Sequence, residues 1–350
     1  MEAKRKKALW VSMIILVLVL AAACGNSEER DQTNEKGNIR VVVTTTFIGD
    51  VVENIAGDRV DMTGLLTPGQ NPHSYQPSPM DMVAVSEADL ILVNGFGLEE
   101  FLDELLEGTD TSAEVLAVSE GINALEGEHH HDGENHDDHN GEEHDDHDGE
   151  EHDDHDGEEH DDHDGEDHDD HMKGVMGLDP HVWFDPNNVL VWAENIANAL
   201  AEADPVNSEY YQGNLEKYQG QLIELDGWIR DQVDQIPADQ RELVTDHSSL
   251  GYFADEYNLV QIGTVVPALT TEAETSGMEL ADLIDTIREH QTKAIFIGVD
   301  FDPNLAQRVA DETGVELVPL YLGSLSDGEP AGNYISFMRY NVSAIMEALR

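Results

Sequence analysis

The apolar positions of this chain fall into two rhythms that take turns. Short unbroken runs, at residues 39–47 (IRVVVTTTF), 60–66 (VDMTGLL) and 89–97 (DLILVNGFG), are rich in β-branched and aliphatic side chains and predict strands. Helical spacing fills the intervals: one stretch ends near Gly57, another is LEEFLDELL at 98–106. A third begins at SPMDMVAVSEA, where Ser78 suits the N-cap, Pro79 the first helical position, and Asp81 sits three residues after the cap. Further on, 187–203 reads as a helix, and Asp204-Pro205 opens a longer one. In it Leu215, Tyr218, Leu222, Leu225 and Ile229 recur at spacings of three and four, a stripe predicting about 45 Å of helix over roughly thirty residues. The strand–helix alternation then resumes: ELVTD, a helix from Ser249, LVQIGTV, the amphipathic GMELADLIDTIREH, KAIFIGV, a helix stopping at Gly314, VELVPL, and a closing helix over 333–349. The expectation is an α/β protein of two (β/α) lobes with parallel-rich sheets: 39–203 first, a linking helix at 204–236 that spans the lobes, then 237–350.

Two segments follow neither rhythm. At the start, Lys4, Arg5, Lys6 and Lys7 precede an apolar run at 8–20 that is short for a membrane span, and LAAAC then places small residues before Cys24. The arrangement resembles a bacterial lipoprotein signal at 1–23, with Cys24 lipidated and 24–38 as a flexible tether; Ala21 stands where Leu is commoner. The alternative is an uncleaved anchor or ordinary signal with a chance cysteine, and both readings put the body outside the cytoplasm, tethered to a membrane. As the only cysteine, Cys24 leaves no disulfide framework within the chain.

The second is the stretch 128–171, where an eight-residue unit recurs (HDDHDGEEHDDHDGEE at 144–159). It holds 24 acids and no Lys or Arg, so it carries −24 of the formal −58. Such composition predicts a disordered loop inserted in the first lobe. The remainder is still acidic, which argues against nucleic-acid partners, whose phosphates are held by basic surfaces. An acidic surface attracts cations instead.

Of 17 histidines, 13 belong to this tract: His129, His130, His131, His136, His139, His144, His147, His152, His155, His160, His163, His168 and His171. With the interleaved carboxylates they offer weak, adaptable metal binding above the ordinary histidine pKa of about 6.5. Capture or buffering of metal is the favoured reading of the tract, and repeat slippage without a role is the other. Four histidines lie elsewhere. His290 sits near the end of an amphipathic helix, where a cation suits the helix dipole, and reads as structural. His73, in TPGQNPHSYQPSP, and His247, in VTDHSSLGYF, occupy loops beyond strands, where α/β lobes bind ligands. His181 lies in LDPHVWFDP, between two prolines. Tyr75, Trp183, Phe184 and Tyr252 flank these three and suit the walls of a cleft.

Taken in order, PGQNPHSYQPSP, DPHVWFDP, DHSSLGYFADEYNL, TTEAETSGMELADLIDTIREHQTKAIF and LGSLSDG with NYISFMRYNVSAIMEAL resemble the zinc and manganese solute-binding proteins of ABC importers, the ZnuA/TroA-like group. The resemblance covers residues 39–350. It implies two lobes joined by one rigid helix, a metal held in the cleft between them, His73 and His181 as ligands from the first lobe, and His247 from the second. It also implies an ABC permease and its ATPase as partners. The chain departs from the group at the fourth ligand: Gly323 stands where members usually have Asp, with Asp327 four residues on, and Gly298 stands where Glu is frequent, with Asp300 following. The fourth donor is open between Asp300, Asp327, a water and a tract histidine. Three imidazoles tilt the site toward Zn²⁺ over Mn²⁺, which prefers oxygen. The expected protein is a monomer without enzymatic turnover, lipid-anchored on the extracytoplasmic face, that hands zinc to a permease. Alternatives are a manganese importer component, a zinc-storage or adhesin-like surface protein working through the tract, and a zinc hydrolase; the HExxH of the last does not occur.

Overall fold

In the computed structural model, which describes residues 38–127 and 177–350, each apolar run becomes a short parallel strand. The first set is β1 (Ile39–Val43), α1 (Thr46–Ala56), β2 (Val60–Gly64), α2 (Pro79–Glu87), β3 (Leu90–Val93), α3 (Leu102–Glu107) and β4 (Glu114–Ala117). Its sheet has the order β2-β1-β3-β4, all parallel. Then come α4 (Pro186–Ala203) and α5 (Ser208–Val233). The second set repeats the first: β5 (Glu242–Thr245), α6 (Gly251–Tyr257), β6 (Val260–Thr264), α7 (Gly277–His290), β7 (Ala294–Gly298), α8 (Asn304–Thr313) and β8 (Glu316–Leu320), with α9 (Tyr334–Leu349) closing the chain. Its sheet runs β6-β5-β7-β8, again parallel. The result is the α/β architecture expected, two parallel sheets with helices.

Both faces of each sheet are covered, which is why the strands read as continuous apolar runs. Alternate residues go to different cores: Val41 and Val43 join a large core, while Val42 packs under α2 and α3 with Val85, Leu102 and Leu105. In the second sheet Phe296 joins the large core, and Ile295 and Ile297 meet Leu283, Ile287 and Val309 of α7 and α8. The apolar stripe of α5 is buried as predicted, through Leu215, Tyr218, Leu222, Leu225 and Ile229, and its contacts reach α1, α4 and α9. The large core thus runs through both lobes, and residues 39–350 form one unit.

Boundaries differ locally. Asp204-Pro205 opens a 3-10 turn (Pro205–Asn207) before α5 begins, so the helix has 26 residues and spans about 39 Å at 1.5 Å per residue. The helix expected from Ser249 starts at Gly251, and the one expected from Leu98 starts at Leu102. β4 has no counterpart in the sequence reading: four residues on an edge, none of them buried, carry too little apolar signal. The lipoprotein signal at 1–23, Cys24, the tether up to residue 37, and the loop with its 13 histidines lie outside the described residues. Among the described residues no helix is long and apolar enough to cross a membrane.

Candidate metal site

Five loops beyond the carboxyl ends of strands β2, β5, β6, β7 and β8 and one turn before α4 converge between the lobes. The loop after β2 carries Asn71, whose Oδ1 caps a 3-10 turn by accepting from the His73 backbone N–H at 2.9 Å. The Nδ2 of Asn71 then donates to Thr271 Oγ1 of the second lobe at 2.9 Å. His181 precedes another 3-10 turn (Val182–Phe184) that runs into α4, and His247 lies two residues beyond β5.

Their ring nitrogens meet. Nε2 of His181 lies 3.1 Å from Nε2 of His73 and 3.2 Å from Nε2 of His247, and the three histidines each offer a nitrogen within 4.8 Å of the others. The tips border a cavity with room for about one water-sized sphere, about 10 Å³. It is also lined by Asn71, Thr271, Asp246, Asp300, Leu322 and Gly323.

Two carboxylates set the direction of the rings. Asp179 Oδ1 takes both the backbone N–H and Nδ1 of His181, at 2.9 and 2.7 Å. Asp246 Oδ1 does the same for His247, at 2.6 and 2.7 Å, while Asp246 Oδ2 accepts from the Gly298 backbone N–H at 2.6 Å. A proton held on each Nδ1···O contact leaves the Nε2 lone pair free for an ion. Burial drives the same way: desolvation, reinforced by the neighbouring rings, holds His73 and His181 well below the ordinary histidine value. Burial pushes the Asp179 carboxyl up to about 7, against the pull of the His181 backbone N–H and of His247. Burial also raises Asp300, with Asp246 adding to the shift.

Of the residues expected to serve a metal, His73, His181 and His247 are brought together, Asp300 lines the cavity, and Asp327 is exposed and outside its lining. His290 pairs with Glu242 at 3.0 Å in the last turn of α7, away from this cleft. Of the aromatic flank, Trp183 sets its ring edge against His181 and donates to the Leu322 carbonyl at 3.1 Å, and Tyr252 donates to the Asp179 carbonyl at 2.9 Å. Phe184 is buried in the core, and Tyr75 turns to Asp81. Sequence reasoning missed Asp179 and Asp246, although both were in view as the acids of DPH and DH, one or two residues before a candidate ligand. A second acidic group, Asp185, Asp226 and Glu256, is tied by Arg230 and by the N-cap role of Asp185, and it fastens α4, α5 and α6 together.

The chain is similar over nearly its full length to proteins of known description. Residues 41–348 match the family described as the periplasmic component A of the zinc-uptake complex, ZnuA. The manganese-binding lipoprotein MntA of Halalkalibacterium halodurans is 31% identical over 346 residues, covering 98% of this chain and 99% of that protein. Among solved structures, the periplasmic zinc binding protein TroA from Treponema pallidum superposes with a TM-score of 0.72 at 26% identity, covering 89% of this chain and 99% of that one. The Mn-bound periplasmic metal binding protein of Candidatus Liberibacter asiaticus gives 0.69 at 25% identity, with the same coverage.

Proposed function

The chain belongs to the ZnuA family of periplasmic zinc-uptake components, and from that premise we propose that it captures Zn²⁺ in the three-histidine cleft and delivers it to the permease of an ABC importer. It is a metal-binding, substrate-binding component of such a transporter. The zinc assignment rests on the donor set. Three Nε2 atoms converge on a cavity sized for one ion, and imidazole nitrogen suits Zn²⁺, whereas Mn²⁺ favours carboxylate, carbonyl and water oxygen. A tetrahedral Zn²⁺ with bonds of about 2.0–2.1 Å needs donors roughly 3.3–3.4 Å apart, close to the 3.1 and 3.2 Å separations from His181.

Manganese is the second reading, because MntA and the Liberibacter protein are described with that metal. Zn²⁺ outcompetes Mn²⁺ at most nitrogen and oxygen sites, so simple competition does not separate the readings. Direct Mn²⁺ binding does. Electron paramagnetic resonance of the full-length protein titrated with Mn²⁺ is expected to show no tight site. Tight Mn²⁺ binding that His73→Ala abolishes would falsify the zinc assignment.

The rest of the reading follows from position and chemistry. A Cys24 lipid anchor keeps the monomer on the extracytoplasmic face of the membrane, beside permease and ATPase. The cleft binds without turnover: Asp179 and Asp246 are spent on holding imidazoles, and the remaining carboxylate of the cavity wall, Asp300, is read as a donor to the ion rather than as a base for water.

A further inference from the structure

We propose that Asp300 is the fourth donor to the transported cation, reaching it through space that Gly298 and Gly323 leave open. The inference rests on the cleft reading above and names a ligand within it.

Gly298 ends β7, and Gly323 lies three residues beyond β8. A Cβ on Gly298 would stand 2.8 Å from Asp300 Oδ1 and 3.1 Å from Asp246 Oδ2. A Cβ on Gly323 would stand 2.7 Å from Pro72 Cδ and 3.2 Å from Asp300 Oδ2. The two oxygens of one carboxylate therefore sit against both glycines, and a side chain at either position would collide with it. The backbone beneath is fixed. Phe301 N–H donates to the Gly298 carbonyl at 3.1 Å, closing a turn, and Val299 N–H donates to the Leu320 carbonyl at 2.9 Å, extending the β7–β8 ladder by one step. Motion at Asp300 is left to its side chain.

Charge and availability select the same group. Three neutral imidazoles leave the charge of a divalent cation undiminished, so the fourth donor is best anionic. The carboxylates lining the cavity are Asp246 and Asp300. Asp246 has both oxygens engaged, by His247 and by Gly298. Asp300 is half-buried at the cavity wall and stands outside the group of nitrogens within 4.8 Å of one another. A side-chain rotation on cation entry brings one of its oxygens to the vacant side of the three nitrogens. Each lobe then contributes two ligands, so the cation itself bridges the cleft.

The test uses full-length protein loaded with half an equivalent of Zn²⁺, so that the tightest site fills first. Affinity is read by chelator competition and donor type by zinc K-edge absorption. Asp300→Asn is expected to weaken Zn²⁺ by about 100-fold, at the upper end of the 10–100-fold range known for lost outer-shell partners, and to replace the carboxylate oxygen of the first shell by a neutral amide or water oxygen, shifting the edge. The metal-free unfolding midpoint checks that the variant folds, and Asp300→Ala provides an independent variant with the same expected loss. His73→Ala separates the two levels of the argument. If it abolishes tight binding while Asp300→Asn and Asp300→Ala bind with wild-type affinity and an unchanged first shell, the fourth donor is a water or a tract histidine and the Asp300 proposal is overturned. If His73→Ala itself binds like wild type, the cleft reading fails first.

Discussion

Asp246 shows how much one buried side chain can hold. One oxygen orients His247 through its Nδ1 and caps its backbone N–H, and the other receives the Gly298 N–H from the neighbouring strand. Asp246→Ala therefore frees the ring to rotate and leaves three buried donors, the ring Nδ1–H and the His247 and Gly298 backbone N–H groups, without this acceptor. Zn²⁺ affinity is expected to fall about 10–100-fold, and the metal-free protein to lose stability at about 1–3 kcal/mol for each unsatisfied group. Calorimetric unfolding of the metal-free variant alongside chelator competition checks both; intact affinity with lowered stability would reduce Asp246 to a structural role. At this scale the three converging histidines stood out as solitary loop residues, and the ordered motifs around them, through their resemblance to the ZnuA/TroA-like group, marked them as candidate ligands. Their carboxylate partners were not, since Asp beside His is common in acidic sequences and only the fold shows which oxygen faces which nitrogen.

At the scale of elements, Asp50 of α1 joins three helices. It accepts from the Tyr334 N–H at the start of α9 at 3.1 Å and from the Tyr218 hydroxyl of α5 at 3.4 Å. Burial pushes its carboxyl from 3.8 to about 6, partly offset by the Tyr334 N–H. A raised carboxyl means that the folded state holds the proton more tightly than the unfolded chain does. Its contribution to stability is thus fully present below about 3.8 and is lost as pH rises through about 6. The shift corresponds to about 3 kcal/mol. Asp50→Asn keeps an acceptor and removes the charge. Its advantage over wild type in thermal unfolding of the metal-free protein is expected to grow between pH 4 and pH 7 and then level off. A difference that is constant across that range would show that Asp50 does not titrate there. The apolar stripe of α5 announced its helix from spacing alone, while Asp50 gave no sign of its role, because the two bonds it makes span 168 and 284 residues of sequence.

At the scale of the whole molecule, the alternation of runs and helical stretches made both lobes readable, and the length of the α5 stripe indicated what joins them. What the pattern did not disclose is how the residues flanking the histidine-rich segment are held. Residues on its two sides pair with each other: Gly127 N–H donates to the Gly177 carbonyl at 2.7 Å, Asp179 N–H donates to the Leu125 carbonyl at 2.8 Å, and Glu126 bridges Leu178 in antiparallel fashion. Tyr252 of the second lobe fastens this ladder, accepting from Leu125 N–H at 3.1 Å while donating to the Asp179 carbonyl. Asp179 then orients His181, so the flanks of the segment are clamped two residues from that ring by contacts outside the segment itself. Replacing residues 128–176 with a short glycine-containing turn should accordingly leave His181 in place. One equivalent of tight Zn²⁺ binding is expected to survive with near-wild-type affinity, while the weaker equivalents contributed by histidine and carboxylate disappear from the titration. If the tight equivalent vanished instead, the segment would be the principal site and the storage or adhesin-like reading would gain the ground the cleft lost. If only the rate of metal loading fell, the segment would be gathering cations for a site it does not form.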